Sequence, residues 1–262
     1  MAEKPLSVRI DGGVARLTLG RPEVHNALDA ELIAALSEAL NRVAGDDRVR
    51  VVLLTAEGEN FCAGADLKWI GGSTETDRDR SRTDPAPLGR LLQALDRLPR
   101  PTVALVRGAI YGGGIGLAAC CDLVLADKNA WFCFSEVRLG LIPAIISPYA
   151  VRAIGWRQAR RYFLTAETFD AETAHRLGLV HEVTAPRDLE RRGERLCAAV
   201  MRNGPAAMAA AKNLLAEVGC RPITDGLVDR MVERTATIRT TAEARQGIGA
   251  FLNKRPPPWA KS

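Results

Sequence analysis

The hydrophobic positions of the first hundred residues follow two periods. Residues 14–19 alternate between apolar and polar side chains and are flanked by glycines, which predicts a short strand in a hairpin with residues 6–10. The run over 51–55 is continuously apolar, as is typical of a strand buried on both faces. Between them, Asp29 is a plausible N-cap of a helix whose apolar residues share one face, namely Leu32, Ile33, Leu36, Leu40 and Val43.

The same alternation of strand and helix continues along the chain. Five leucines between 88 and 98 predict a helix that ends before Pro101. Residues 103–125 follow as a buried strand, three glycines, a short helix of small residues and a second strand, and 131–134 is a further apolar segment. The polar stretch 71–87 predicts a mobile surface loop. This repeating order predicts a mixed α/β fold.

The pattern becomes helical from about Ile145 onward. Pro205 begins an alanine-rich helix, and residues 225–251 contain few helix breakers. We therefore predict a core over 1–195 and a C-terminal helical region over 196–262. A helical region appended to a mixed core often packs against neighbouring subunits, so we expect an oligomer.

Composition excludes several classes of protein. No apolar run reaches the roughly 18 residues that span a membrane, and the start MAEKPLSVRI lacks the apolar core of a signal peptide, so we expect a cytoplasmic protein without a membrane partner. The net charge of +5 allows nucleic-acid binding, but the arginines are scattered and aromatics are only 5% of the chain, so we expect no nucleic-acid partner. The six cysteines have no C-x-x-C spacing, which favours reduced, buried thiols over a metal site.

Candidate chemistry lies in the glycines. Gly112 to Gly114 let another molecule approach the backbone, and the first helical turn after them offers free N–H groups to a phosphate or an oxyanion. The run from Gly114 to Ala119 matches G-x-G-x-x-A, but its helix is too short for a dinucleotide site. A second small-residue loop, CAGAD over 62–66, also follows a buried strand. Two such loops favour an oxyanion hole, although either alone would be read as a tight turn.

Other catalytic arrangements have no support in the sequence. There is no P-loop lysine, no G-x-S-x-G elbow, and none of the three histidines has ligand spacing to another. Five segments, however, occur together in the order and spacing of one family. The chain resembles the crotonase (enoyl-CoA hydratase/isomerase) family in RPEVHNALD, NFCAGADLK, GAIYGGGIGLAACCDLVLA, FSEVRLGLIP and FLNKRPPPW.

The resemblance implies a spiral of ββα turns whose C-terminal helices assemble trimers, usually paired into hexamers. It places a coenzyme A thioester in an oxyanion hole formed by the N–H groups of Ala65 and Gly113, with Glu136 as the acid/base. The substrate is then an acyl-CoA, and no separate cofactor is needed. The CoA and acyl contacts implied are Ala63, Ala65, Asp66, Leu67, Lys68, Gly113, Gly116 and Lys254, the last in some members from a neighbouring subunit. Asp66 is expected to order its loop rather than to act as a base.

One position departs from the family. Typical hydratases carry a second glutamate where this chain has Gly116, and 143–148 replaces a glycine-rich run. The leading expectation is a lyase, an enoyl-CoA hydratase in which Glu136 and an ordered water suffice, as in relatives with SEVRLGLIP that hydrate branched glutaconyl-type esters. The alternatives are a Δ3,Δ2-enoyl-CoA isomerase with a single base, and a non-catalytic acyl-CoA binding protein. Arg138 could meet a distal substrate carboxylate, but a surface or structural role is favoured.

Overall fold

The N-terminal elements form as their hydrophobic pattern predicts. The computed structural model describes residues 4–71, 85–219 and 221–260, so most of the predicted loop at 71–87 lies outside the described residues. The hairpin is β1 (Leu6–Asp11) with β2 (Val14–Leu19), followed by helix α1 (Ala30–Ala44) and strand β3 (Val51–Ala56). The carboxylate of Asp29 accepts the N–H of Leu32 at 2.9 Å, which confirms the predicted cap.

The remaining elements continue the alternation and then become helical. In chain order they are α2 (Leu67–Gly71), α3 (Ala86–Asp96), β4 (Thr102–Val106), β5 (Ala109–Tyr111), α4 (Gly113–Cys120), β6 (Leu123–Asp127), β7 (Trp131–Cys133), α5 (Ser147–Thr165), β8 (Phe169–Asp170), α6 (Ala171–Leu177), β9 (Glu182–Thr184), α7 (Leu189–Met201), α8 (Pro205–Val218), α9 (Asp225–Arg239) and α10 (Ala242–Leu252). The predicted mixed α/β class is confirmed.

The described strands form two sheets. The larger has the order β1-β2-β3-β4-β6-β9, and every neighbouring pair except the hairpin is parallel. The smaller has the order β5-β7-β8. The sequence pattern predicts a single strand over 103–111, but in the structure this segment is divided between the two sheets. The turn is at Gly108, which has φ +59° and whose Cβ would lie 2.1 Å from the carbonyl oxygen of Glu59, so only glycine fits there.

Apolar side chains cover both faces of the larger sheet. Alternate residues of β3 point to opposite faces, Val52 and Leu54 toward one cluster and Val51 and Leu53 toward another. The larger cluster includes α1, α3, α4 and α5, and the smaller one is closed by α7. This burial on both faces explains why β3 lacks the alternation seen in β2.

The C-terminal helices bury little of their own surface in one chain. The predicted boundary at 195/196, which stays a prediction, lies within α7, and α7 packs on the sheet. The segment 225–251 contains a break, because Thr241 caps α10 by accepting the N–H of Ala244 at 3.1 Å. Several large apolar side chains from α8 onward are exposed: Leu215, Ile223, Val228, Val232, Ile248, Phe251 and Leu252.

Two expectations from composition can be compared with the described residues. Their five cysteines are all free and buried, as predicted: Cys62, Cys120, Cys121, Cys133 and Cys197. Within 4–71, 85–219 and 221–260, no helix is long and apolar enough to cross a membrane.

Candidate active site

The loop over 62–66 is held between two extended segments. Its start pairs with β5, since the N–H of Cys62 donates to the carbonyl oxygen of Ala109 at 3.2 Å. Its end pairs with Leu28, which donates to the carbonyl of Gly64 at 2.7 Å and accepts from the N–H of Asp66 at 2.9 Å. The peptide between these two bonds, at Ala65, is thereby fixed in orientation.

A second loop brings the start of α4 beside this peptide. Gly112 has φ +44° and donates its N–H to the carbonyl oxygen of Cys133 at 3.0 Å, so the next residue, Gly113, opens the helix. Its N–H has no partner within the helix, as for every first helical residue. A Cβ built on Gly113 would lie 3.9 Å from the nitrogen of Ala65, which shows how closely the two peptides approach.

The two N–H groups form the arrangement that sequence analysis expected. Neither the N–H of Ala65 nor that of Gly113 has an acceptor among the described residues, and both residues line the same cavity. Two adjacent unpaired donors stabilise an oxyanion better than they stabilise a neutral carbonyl. The arrangement can therefore hold the oxygen of a carbonyl on which negative charge develops.

Glu136 lies next to these donors. It is the first residue of a 3₁₀ turn (Glu136–Leu139), and a Cβ on Gly112 would lie 2.9 Å from its Oε1. Its Oε2 is buried and has no hydrogen-bond partner. Burial in these surroundings raises the pKa of the Glu136 carboxyl above its ordinary value. A carboxyl in this position can exchange a proton with a molecule bound beside it.

The cavity around these groups has a volume of about 880 Å³ and a mostly apolar lining. Among the described residues, Glu136 is the one acidic side chain in that lining and Arg138 the one cationic side chain. No cluster of three or more His, Cys, Asp or Glu side chains suited to a metal ion occurs in the described part of the chain. The apolar lining includes Leu88, Leu139, Leu141, Ile142, Ile145 and Ile146.

Arg138 lies two residues beyond the candidate acid and has a structural contact. Its guanidinium donates to the carbonyl oxygen of Ala166, a residue at φ +48° that ends α5. The contact ties the 3₁₀ turn to that helix end. This agrees with the structural role favoured by the sequence, although the side chain also reaches the cavity.

The predicted site residues divide into two groups. Ala63, Ala65, Leu67, Gly113 and Glu136 line the cavity. The others do not, and their predicted contacts with CoA stay predictions: Asp66, Lys68, Gly116 and Lys254.

Three of these outer residues have identifiable surroundings. The carboxylate of Asp66 accepts the N–H of Lys68 at 2.9 Å and lies 3.5 Å from Nη2 of Arg21, so it orders its loop. The side chain of Lys68 is exposed, and Lys254 is an exposed residue at φ +51° just after α10.

Apolar side chains lie against Gly116, on the side where a Cβ would project. A Cβ built on it would lie 2.5 Å from Cγ2 of Ile146 and 3.2 Å from Cδ1 of Leu92. The space that a side chain at position 116 would enter is therefore filled by Ile146 and Leu92. The sequence shows that position 116 is a glycine and not a glutamate, but it does not indicate that Ile146 contacts this position.

Asn26 is a site-forming residue that sequence analysis overlooked. It is fully buried, and its Oδ1 accepts the N–H of Arg21 at 2.8 Å. Its Nδ2 donates to the carbonyl oxygens of Glu57 at 2.9 Å and Asn60 at 2.8 Å. These bonds hold the turn before Leu28, the residue that clamps the Ala65 peptide. The sequence offered one indication of this role, an asparagine in a loop. Asparagine tolerates the left-handed region of backbone conformation, and Asn26 has φ +55°.

Several known proteins are similar to this chain in sequence and in fold. The model of the enoyl-CoA hydratase/isomerase family matches residues 9–262. The chain is 42% identical to a solved enoyl-CoA hydratase from Shewanella pealeana, with a TM-score of 0.94 and coverage of 97% of this chain and 96% of that one. AtuE of Pseudomonas aeruginosa is 38% identical, with a TM-score of 0.93 and coverage of 98% and 100%.

A solved enoyl-CoA hydratase from Mycobacterium smegmatis is 34% identical, with a TM-score of 0.92 and coverage of 99% and 100%. These likenesses confirm the predicted crotonase-like fold. With its unpaired N–H groups, its half-buried glutamate and a family match over nearly its whole length, the chain belongs to the enoyl-CoA hydratase/isomerase (crotonase) family.

Proposed function

We propose that this protein is an enoyl-CoA hydratase, which adds water across the double bond of a 2-enoyl-CoA thioester. The observation that carries the proposal is the placement of the Glu136 carboxyl beside the two unpaired N–H groups of Ala65 and Gly113. The similar proteins from Shewanella pealeana and Mycobacterium smegmatis are described as enoyl-CoA hydratases, which supports the same reaction here.

In the proposed reaction, the thioester oxygen accepts hydrogen bonds from Ala65 and Gly113. The oxygen of water attacks C3, the C2–C3 π electrons move toward the carbonyl, and an enolate forms in the oxyanion hole. Glu136 takes the proton released by water and gives a proton to C2, so the carboxylate is regenerated and the product is a 3-hydroxyacyl-CoA. One N–H donor in such a hole is worth about 2.7–4 kcal/mol of barrier. The raised pKa of Glu136 suits a group that first takes and then gives a proton.

The test is the absorbance of the conjugated thioester during incubation with 2-enoyl-CoA and 3-enoyl-CoA esters. Loss of absorbance from a 2-enoyl ester indicates hydration. Glu136→Gln should slow this reaction by about 10²–10⁴-fold because general acid–base transfer is lost. Glu172→Gln, a control on an exposed carboxyl of α6, should leave the rate unchanged. An undiminished rate in Glu136→Gln would exclude the assigned role.

A second candidate, Δ3,Δ2-enoyl-CoA isomerase, is favoured by the contact of Gly116 with Ile146. That contact leaves Glu136 as the single acid lining the cavity among the described residues, and one base can move a proton between C2 and C4. A gain of absorbance from a 3-enoyl ester would identify this reaction. Binding without either change would identify an acyl-CoA binding protein.

We further propose that the acyl group is branched or carboxylated, of the glutaconyl type. The resemblance in SEVRLGLIP supports this, as does Arg138, the one cationic side chain lining the cavity among the described residues. Arg138→Gln should then lower kcat/KM more for a carboxylated ester than for an uncharged ester of equal length. Equal losses would restrict Arg138 to its contact with Ala166.

The proposed assembly is a trimer, or a hexamer of paired trimers, formed by the exposed apolar side chains from α8 onward. In such an assembly Lys254 of one subunit would approach the CoA phosphates bound by another. Sedimentation analysis of the 28.3 kDa chain tests this directly, and a monomer at micromolar concentration would exclude it. The proposed reaction needs no cofactor, since coenzyme A is part of the substrate.

A further inference from the structure

We propose that Ile146 sets the width of the acyl-binding end of the cavity, and that positions 116 and 146 share a space in which only one side chain fits. The acyl nature of the ligand rests on the proposed function. The steric relation between the two positions does not.

The steric evidence is direct. A Cβ at position 116 would lie 2.5 Å from Cγ2 of Ile146, which is closer than a methyl group can approach a carbon atom, and 3.2 Å from Cβ of Ile146, which is a tight contact. Ile146 is 3% exposed, so most of its side chain is enclosed by neighbouring atoms. The smallest side chain at position 116 would therefore displace Ile146.

The backbone also keeps Ile146 in place. It immediately precedes α5, and its carbonyl oxygen accepts the N–H groups of Tyr149 at 3.2 Å and Ala150 at 3.0 Å. Helices α4 and α5 pack against each other, and a β-branched side chain has few rotamers. The isoleucine is thus a fixed wall.

The position of this wall relative to the N–H donors identifies what it contacts. Gly113 and Gly116 are three residues apart on α4, so they are neighbours on the helix surface, about 5–6 Å apart. Gly113 and Ile146 line the same cavity. If the thioester oxygen lies at the N–H of Gly113, the first acyl carbons beyond it extend toward Ile146. That side of C2 and C3 is apolar and has no room for a carboxylate from position 116.

A double-mutant cycle tests the shared space without any ligand. Gly116→Ala should lower Tm by several degrees because the new methyl displaces Ile146, and Ile146→Ala should lower Tm because packing is lost. Gly116→Ala/Ile146→Ala should be markedly more stable than the sum of the two single losses predicts. Additive losses would overturn the proposed exclusion.

Binding of unreactive esters tests the acyl width independently of catalysis. Saturated butanoyl-CoA and 3,3-dimethylbutanoyl-CoA cannot be hydrated, so calorimetric Kd values report the fit alone. Ile146→Ala should shift the ratio of the two Kd values at least tenfold in favour of the bulkier ester. Ile154→Ala, which truncates a buried isoleucine of α5 that does not line the cavity, should leave the ratio unchanged.

The outcomes separate this inference from the proposed function. If the wild type hydrates no 2-enoyl-CoA but the Kd ratio still shifts, the reaction assignment fails and the role of Ile146 stands. If hydration occurs and the ratio does not shift, the role of Ile146 fails alone. Absence of binding of either ester by the wild type would overturn both the acyl site and the width assigned to Ile146.

Discussion

Replacing Asn26 with aspartate tests how much the buried amide that holds the turn before Leu28 contributes to stability. The two side chains have nearly the same shape, so Asn26→Asp creates no cavity and retains the oxygen that accepts from Arg21. The substitution removes the two hydrogen bonds that Nδ2 donates to the carbonyl oxygens of Glu57 and Asn60. A carboxylate oxygen then lies against these two carbonyl oxygens. No water can compensate directly, because residue 26 is fully buried.

The expected loss of unfolding free energy at pH 8 is about 3–5 kcal/mol. Two lost hydrogen bonds contribute about 1 kcal/mol each. The rest of the loss comes from ionisation of the new carboxyl. Burial and the carbonyl dipoles raise its pKa in the folded state, and each unit of that increase costs about 1.4 kcal/mol of stability at pH 8. A carboxyl with a raised pKa in the folded state destabilises above that pKa. The loss should therefore shrink as the pH falls through the folded pKa, where the protonated group can again donate to one carbonyl.

Urea unfolding of wild type and Asn26→Asp at pH 8 and pH 5 measures both the loss and its pH dependence. Asn253→Asp is the matched control, because Asn253 donates to the carbonyl of Gly249 at 2.7 Å but is exposed. Its change should be within about 0.5 kcal/mol. An Asn26→Asp protein as stable as the wild type at pH 8, or a loss that does not shrink at pH 5, would refute the reasoning.

Four further predictions concern the two loops and the carboxyl of the site. Gly113→Pro should abolish turnover because it removes an N–H at a helical position that tolerates proline, whereas Gly113→Ala keeps the donor and controls for the added carbon; circular dichroism checks folding, and full activity in folded Gly113→Pro would exclude the oxyanion hole. Gly114→Ala should lower Tm strongly, because its Cβ would lie 2.3 Å from the carbonyl oxygen of Cys62, and thermal melts without a shift would contradict this. The kcat/KM of the wild type should fall as the pH drops through a Glu136 pKa above the ordinary glutamate value, because the ionised carboxyl is the base. Since a raised folded pKa makes ionisation of Glu136 destabilising, Glu136→Gln should unfold at higher urea than wild type at pH 8, with the difference vanishing below pH 4.

Local patterns predicted the elements that depend on local chemistry. The cap at Asp29 and the buried strand β3 follow from side-chain periodicity and capping, and both are confirmed. The division of 103–111 between two sheets was not predicted, because only Arg107 and Gly108 interrupt the apolar residues. What turns the chain there is the approach of the Glu59 carbonyl, a contact with a residue distant in sequence.

Prediction of the site residues was limited in the same way. The two small-residue loops and Glu136 could be named because their residue types indicate the chemistry. The contact of Gly116 with Ile146 could not, since neither residue indicates the other. Asn26 was overlooked for a similar reason: an asparagine in a loop predicts a turn, and only the fold shows that its amide meets two carbonyls and an N–H.

The proposed oxyanion hole is built entirely from main chain. Its donors are the N–H groups of Ala65 and Gly113, so no functional group is lost when those residues are exchanged for others that fit, with proline as the exception. In the proposed reaction, enolate stabilisation therefore depends on the path of the backbone, whereas proton transfer and the shape of the cavity depend on the side chains at 136 and 146. Under the proposed function, a substitution at 136 or 146 would therefore change the acid/base group or the wall of the cavity without removing the donors that hold the thioester oxygen.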